Sequence, residues 1–205
     1  MKKYLTLVIA LVLVSVMSVH ELAINFDISP FENNANYEVE FDEMDDTGEI
    51  TLVEGGSFFG TGEEGDEGFI VGSVNIKIVE DLPPVLRVQM GYIGEDWIFT
   101  NKVIIKPADT RYTFEVDRDT DVSDGKIYEM FTLAMTDESI QMLQDIVDND
   151  VILVKCRLDG SDRDLDCNLL FDREKLGQLL IDYKASGALD NSFALIKDMY
   201  PCTIK

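Results

Sequence analysis

The chain has 205 residues, a formal net charge of −23 and a single histidine, His20. So negative a chain repels the phosphates of nucleic acids, which proteins neutralise with Lys and Arg, and nucleic-acid binding is therefore excluded. A domain that begins after His20 has no histidine for Ser-His-Asp or Cys-His catalysis, or for a zinc site built on imidazole ligands.

The N-terminal segment is typical of a secretory signal peptide. Lys2 and Lys3 precede an apolar run, Leu5–Val14, which is shorter than the roughly 20 apolar residues of a membrane span. We therefore expect residues 1–18 to be a signal peptide, cleaved before Val19. The mature protein would be secreted, or would lie in the periplasm or cell envelope. Membrane contact is expected only through this segment, if it stays uncleaved.

We interpret residues 19–36 as a polar lead-in and residues 37–205 as a single β-rich domain. From residue 37 onward, short runs of alternating apolar and polar residues are separated by turns rich in Gly, Pro, Asp and Asn, a pattern typical of antiparallel strands. The acidic segments 55–68 and 117–125 are expected to be loops. The predicted fold is mainly β, antiparallel and β-sandwich-like, with two or three short helices covering an edge or end.

Two of these helices are marked by N-cap residues. Thr136 is the expected cap of the first helix and Asp172 of the second, which should stop at Gly187. Residues 192–200 are a candidate third helix. In the second helix four apolar residues recur at the spacing of one helical face, which we expect to pack against the sheet: Leu176, Leu179, Leu180 and Tyr183.

The cysteine spacing predicts a disulfide. Cys156 and Cys167 flank a turn centred between Ser161 and Asp162, so a hairpin would place them directly opposite each other. Export would permit disulfide formation. We predict a bond between Cys156 and Cys167 with Cys202 left free; the alternative is three buried thiols.

One acidic segment is the best candidate for a metal site. Four carboxylates lie within eight positions, those of Asp117, Asp119, Asp121 and Asp124. Ca²⁺ prefers several oxygen ligands from a flexible loop, yet the EF-hand pattern fails because Val122 stands where that pattern needs glycine. We predict a calcium site of another kind, with a solvated acidic loop as the alternative. No other cofactor is predicted.

The chain carries no convincing catalytic motif. A G-x-G-x-x-G match at residues 60–65 is rich in acids and precedes a predicted strand, and one Asp-Thr-Gly triplet at residues 46–48 lacks the second copy that an aspartic protease needs. We interpret the protein as a secreted, acidic, non-catalytic domain that binds a protein or carbohydrate ligand, or has a structural role in the envelope. The alternative is a secreted carboxylate-dependent, glycosidase-like hydrolase, because that chemistry needs no histidine.

The charge is unevenly distributed along the chain. No Lys or Arg occurs between Lys3 and Lys77, and the acids of that window start at Glu21. This acidic window predicts a solvated face. The more specific alternative is a surface that binds cations or a basic partner.

Overall fold

A computed structural model of the chain describes residues 26–32, 34–42, 44, 47–62, 68–79, 84–133, 136–149 and 153–187. The predicted signal peptide, the candidate third helix and Cys202 lie outside the described residues. The fold is mainly antiparallel β with two helices in the described part of the chain, as predicted. The strands are β1 Tyr37–Asp42, β2 Thr47–Leu52, β3 Ser57–Gly62, β4 Phe69–Val79, β5 Val85–Gly94, β6 Thr100–Lys106, β7 Tyr112–Glu115, β8 Arg118–Ser123, β9 Lys126–Leu133, β10 Leu153–Gly160 and β11 Asp164–Leu170, and the helices are α1 Asp137–Asp148 and α2 Arg173–Ala185.

All of these strands belong to one sheet. Its order is β7-β6-β10-β11-β3-β4-β5-β9-β8, with β2 paired to β4 and β1 to β2. The end strands β7 and β8 are consecutive in the chain, separated by Val116 and Asp117 alone. The amide of Val116 donates to the carbonyl of Asn101 at 3.0 Å, and Arg118 Nη1 donates to the carbonyl of Thr100 at 3.1 Å. The sheet therefore curls until its ends meet, and its opposite parts face each other across the core.

The core lies inside this curl because alternate residues of each strand point inward. Fully buried examples are Ile70, Val88 and Leu158. Phe31, from the segment expected to be a polar lead-in, is only 1% exposed and its ring contacts that of Tyr37, with centroids 5.0 Å apart. The hydrophobic core thus includes a residue that precedes the first strand.

The two helices lie across one end of the curled sheet. Helix α1 connects the end of β9 to the start of β10, and α2 follows the end of β11. Tyr112 Oη donates to Asp145 of α1 at 2.6 Å, and Tyr183 Oη of α2 donates to the carbonyl of Pro84, just before β5, at 2.9 Å. The connections after β5, β8 and β10 therefore lie at the opposite end, which we call the loop end.

Both helices begin at their predicted caps. Thr136 caps α1, and the Asp172 side chain accepts from the amide of Lys175 at 3.1 Å to cap α2. Gly187 follows α2 with a φ of 77°, in the left-handed region that suits a glycine stop. The predicted inward face is confirmed, since four of its residues are buried: Leu176, Leu179, Leu180 and Tyr183.

The two segments expected to be loops each contain a strand instead. Residues 55–68 contain β3, and residues 117–125 contain β8. Gly60 of the first segment serves packing rather than a loop: a Cβ on Gly60 would lie 2.8 Å from the carbonyl oxygen of Asn168 in β11. Glycine therefore allows β3 to approach β11 closely, and its presence was wrongly taken as a loop signal.

Candidate functional site

A stack of aromatic rings lies at the loop end, in the segment Trp97–Asn101, which we call the aromatic turn. The rings of Trp97 and Phe99 are nearly parallel, at 10°, with centroids 5.0 Å apart. The guanidinium of Arg118 lies 5.2 Å from the Phe99 ring centroid. Phe99 is thus held between an indole and a cation, an arrangement favoured by the ring quadrupole.

Phe99 adopts an unfavourable backbone conformation. Its φ of 55° lies in the left-handed region, which is costly for a bulky aromatic residue that has no glycine-like freedom. Strain of this kind persists only where the surrounding structure enforces it, and it is concentrated at functional sites. The turn therefore needs a strong local restraint.

That restraint is a buried carboxylate, Glu129 of β9. Its Oε1 accepts from the amides of Ile98 and Phe99 at 2.8 and 2.7 Å, and its Oε2 accepts from the amide and the hydroxyl of Thr100, both at 2.9 Å. Glu129 is 0% exposed. Burying a charge is costly unless donors compensate for it, and four donors do so here. The carboxylate thereby fixes three successive amides and the strained turn that contains them.

Glu129 was not predicted as a site residue, although the sequence carries a signal for it. It occupies an inward position of β9 between the buried residues Ile127 and Phe131. An acid in an inward register is unusual, because charged side chains are seldom buried without partners. Both of its oxygens are engaged by protein donors, so its role is to position the turn and not to contact a ligand.

The turn is also joined to the neighbouring β10–β11 connection. The amide of Ser161 donates to the carbonyl of Phe99 at 3.2 Å, and the amide of Asp162 donates to the carbonyl of Ile98 at 3.3 Å. Asn101 Nδ2 donates to Ser161 Oγ at 2.9 Å. These bonds make one cluster from three parts of the chain that lie far apart in sequence.

The side chains of this cluster combine an aromatic surface with exposed polar groups. Trp97 is half-buried, while Asp96, Asn101 and Asp162 are exposed. An aromatic ring with a few polar amide and carboxylate groups beside it is the usual composition of a site for a small polar ligand or a ligand side chain. The arrangement is suited to binding, by stacking and hydrogen bonding.

The predicted calcium ligands lie in an extended strand and its turn, not in a loop. Asp119 and Asp121 are alternate residues of β8, about 6.6 Å apart along the strand. Asp117 precedes β8, and Asp124 forms a tight Asp-Gly turn with Gly125, with φ angles of 52° and 74°. Across the described residues, no three or more His, Cys, Asp or Glu side chains are grouped so that they could hold a metal ion.

The predicted cysteine pair is opposed as expected. Cys156 and Cys167 are direct cross-strand partners in β10 and β11, and both are buried. In this structure they are two thiols rather than a disulfide. Hydrogen bonding to Cys167, together with burial, raises the pKa of the Cys156 thiol well above its ordinary value.

A second surface feature lies on the outer face of the sheet. Leu153, Leu170, Phe59 and Val71 are successive cross-strand partners, and the first three are exposed. Nothing in the structure specifies what would cover this row, whereas the aromatic turn has both a restraint and polar neighbours. The aromatic turn is therefore the stronger candidate.

No protein-family model, curated protein or solved structure matches the chain. Neither helix of the described part of the chain is long and apolar enough to cross a membrane.

Proposed function

We propose that the protein is an exported, acidic, non-catalytic binding domain whose ligand site is the aromatic turn. The supporting observation is the strained φ of Phe99, enforced by the fully buried Glu129. A connection between β5 and β6 can be made without a strained aromatic residue or a buried charge. Because both features lower stability, their presence indicates a role other than connection. A protein or a carbohydrate ligand would suit the stack and its polar surroundings.

The position of the turn favours the same interpretation. Binding residues concentrate on loops held by a rigid scaffold, and this turn is held by a sheet strand through Glu129 and by the β10–β11 turn through Ser161. A glycosidase-like activity stays the alternative. It would require two carboxyl groups about 5–9.5 Å apart on either side of a bound sugar, and release of sugar from chromogenic glycosides would reveal it.

The proposal is tested by comparing three proteins on arrays of oligosaccharides and peptides: the wild type, Trp97→Ala and Phe59→Ala. Phe59 is a matched control because it is an exposed aromatic residue far from the turn, on the outer face of the sheet. We expect probes retained by the wild type to be lost by Trp97→Ala and kept by Phe59→Ala. Retention that survives Trp97→Ala, or that is lost only in Phe59→Ala, would refute the proposal.

Export, the disulfide and the calcium site belong to the same proposal. Cleavage before Val19, after export, would give a mature N-terminus that mass spectrometry of the secreted or envelope fraction can identify. In that compartment we expect Cys156 and Cys167 to be oxidised and to resist alkylation until a reductant is added, since each thiol already faces the other.

The calcium site stays a prediction, to be checked by calorimetric titration with millimolar Ca²⁺.

A further inference from the structure

We propose that the aromatic turn binds an organic cation, an alkylammonium or guanidinium group, placed against Trp97 with its charge opposed by Asp96 and Asp162. Such a group is supplied by a Lys or Arg side chain of a basic partner or by a small free amine. This inference rests on the proposed function, because it names the ligand class for the same site.

The first argument is the charge at the loop end. Asp96, Asp117 and Asp162 are exposed and lie on three different connections that meet at the aromatic turn. Asp96 directly precedes Trp97, and Asp162 is joined to the carbonyl of Ile98 through its amide. Within the described part of the chain, no ion pair neutralises these three carboxylates.

Three basic side chains lie near the turn, and one of them, Lys126, makes an ion pair with a carboxylate. Arg118 donates to the carbonyl of Thr100 and lies over Phe99. Lys126 pairs with Glu95 at 2.8 Å, and Arg163 Nη2 donates to Tyr92 Oη at 2.7 Å. Arg118 donates to two uncharged oxygens, the Thr100 carbonyl and Asn101 Oδ1, and so keeps its positive charge at the turn. The three carboxylates outnumber it, and the whole chain has a net charge of −23, so the field at the turn still attracts cations.

The second argument is the aromatic surface itself. Trp provides the strongest face for a cation among the aromatic side chains. The stack already holds one guanidinium, that of Arg118 over Phe99, while Trp97 forms its other end. A second cation on Trp97 would repeat a contact that the protein makes internally. A neutral sugar would gain the stacking and would donate hydroxyl groups to the carboxylates, but unlike a cation it would not neutralise their charge.

Trp97 is the only tryptophan of the chain, so its fluorescence reports directly on the turn. The full-length mature protein is titrated with an Arg-Gly repeat hexapeptide, with spermine and with maltohexaose, in about 20 and 200 mM NaCl. We expect the two cationic probes to change the emission of Trp97. Their affinity should fall as salt rises, because exposed charges are screened over about 8–10 Å near physiological ionic strength.

Matched variants separate a specific site from general attraction to an acidic protein. Asp96→Asn and Asp162→Asn should each weaken the hexapeptide about two- to fivefold, the range for an exposed ion pair. Glu38→Gln removes the same charge from β1, far from the turn, and should change the affinity little. Equal weakening by Glu38→Gln would overturn the inference, because the attraction would then be non-specific.

The remaining outcomes distinguish the inference from the proposed function. A response to the hexapeptide alone supports a basic protein partner, and an equal response to spermine supports a free amine. A response to maltohexaose alone, unchanged in Asp96→Asn and Asp162→Asn, overturns the cation and leaves the binding site standing. If no probe changes the emission of Trp97, and if retention on the arrays survives Trp97→Ala, then both the cation inference and the proposed binding site are overturned.

Discussion

At the scale of single residues, Glu129 does the most to shape the candidate site. Replacing it with Gln keeps the size of the side chain but turns one acceptor oxygen into an NH₂ donor, which faces amide donors. With its NH₂ turned toward Thr100, the hydroxyl of Thr100 can rotate and accept from it, so the Thr100 amide is the one donor that loses its acceptor. At about 1–3 kcal/mol for a buried unsatisfied group, Glu129→Gln should lower the free energy of unfolding by that amount in urea melts.

The control for this variant is Glu115→Gln, which removes an exposed acid paired with Lys102 at 3.5 Å. Exposed ion pairs contribute about 0–1 kcal/mol, so Glu115→Gln should leave the free energy of unfolding almost unchanged. Similar unfolding midpoints for the two variants would show that the carboxylate of Glu129 does not restrain the turn.

Tyr112 predicts a dependence of stability on alkaline pH. Burial, followed by its hydrogen bond to Asp145, raises the pKa of Tyr112 to about 12, above the ordinary value of about 10. The folded state then keeps the phenol proton more tightly than the unfolded state. The stabilisation is complete below about pH 10 and is lost as the pH rises toward 12.

Tyr112→Phe should therefore cost about 1 kcal/mol at pH 7, the usual net value of a hydrogen bond. The difference between wild type and variant should shrink between pH 10 and 12, as measured by chemical denaturation across that range. A constant difference up to pH 12 would contradict the role of the Tyr112 proton.

At the scale of elements, helix α2 offers a paired test of the core. Leu180 is 2% exposed, whereas its neighbour Ile181 is 61% exposed. Leu180→Ala should lower the free energy of unfolding by about 2–5 kcal/mol, as for other buried leucines. Ile181→Ala should leave the denaturation midpoint nearly unchanged, and comparable losses in both variants would reject the assignment of the inward face.

Elements with local signals could be predicted from the sequence. The caps Thr136 and Asp172 and the apolar face of α2 depend on residues within one or two helical turns, and all three are confirmed. Strand β3 could not be predicted, because its glycines also suit a loop. Only the close approach of β3 to β11, more than a hundred positions away, explains Gly60.

The same limit applied to β8. Its acids suggested a solvated loop, yet Arg118–Ser123 is a strand, and β9 is the one described strand that pairs with it. All of its residues after Arg118 are exposed, so no inward apolar alternation marked it. The pairing, and not the side chains, determines its conformation.

At the scale of the whole molecule, two features of the candidate site depend on long-range pairing. Trp97 and Asp162 are brought together because β6 pairs with β10, and Glu129 reaches the turn because the sheet curls until its ends meet. Neither follows from local periodicity. From the sequence one could infer an acidic protein with mostly antiparallel strands, but the position of its one tryptophan in a restrained turn required the topology.

The molecule is thus divided between a helical end that completes the core and a loop end that carries the aromatic stack. This division follows from the direction of the strands: β5 and β10 end, and β6 begins, where the aromatic turn lies. Binding at the loop end leaves the core undisturbed. We therefore expect substitutions of Trp97 to change ligand affinity far more than stability.

The most direct test is a ¹H–¹⁵N NMR titration of residues 19–205 with the Arg-Gly hexapeptide and, separately, with maltohexaose. The single indole N–H signal reports on Trp97 directly, since the chain has one tryptophan, and assigned backbone amides report on the rest of the molecule. We predict that at least one probe shifts this signal together with the amides of Phe99 and Asp162, and leaves those of α2 in place. Shifts confined to the outer row around Phe59, or to the helical end, would contradict the assignment of the aromatic turn as the binding site.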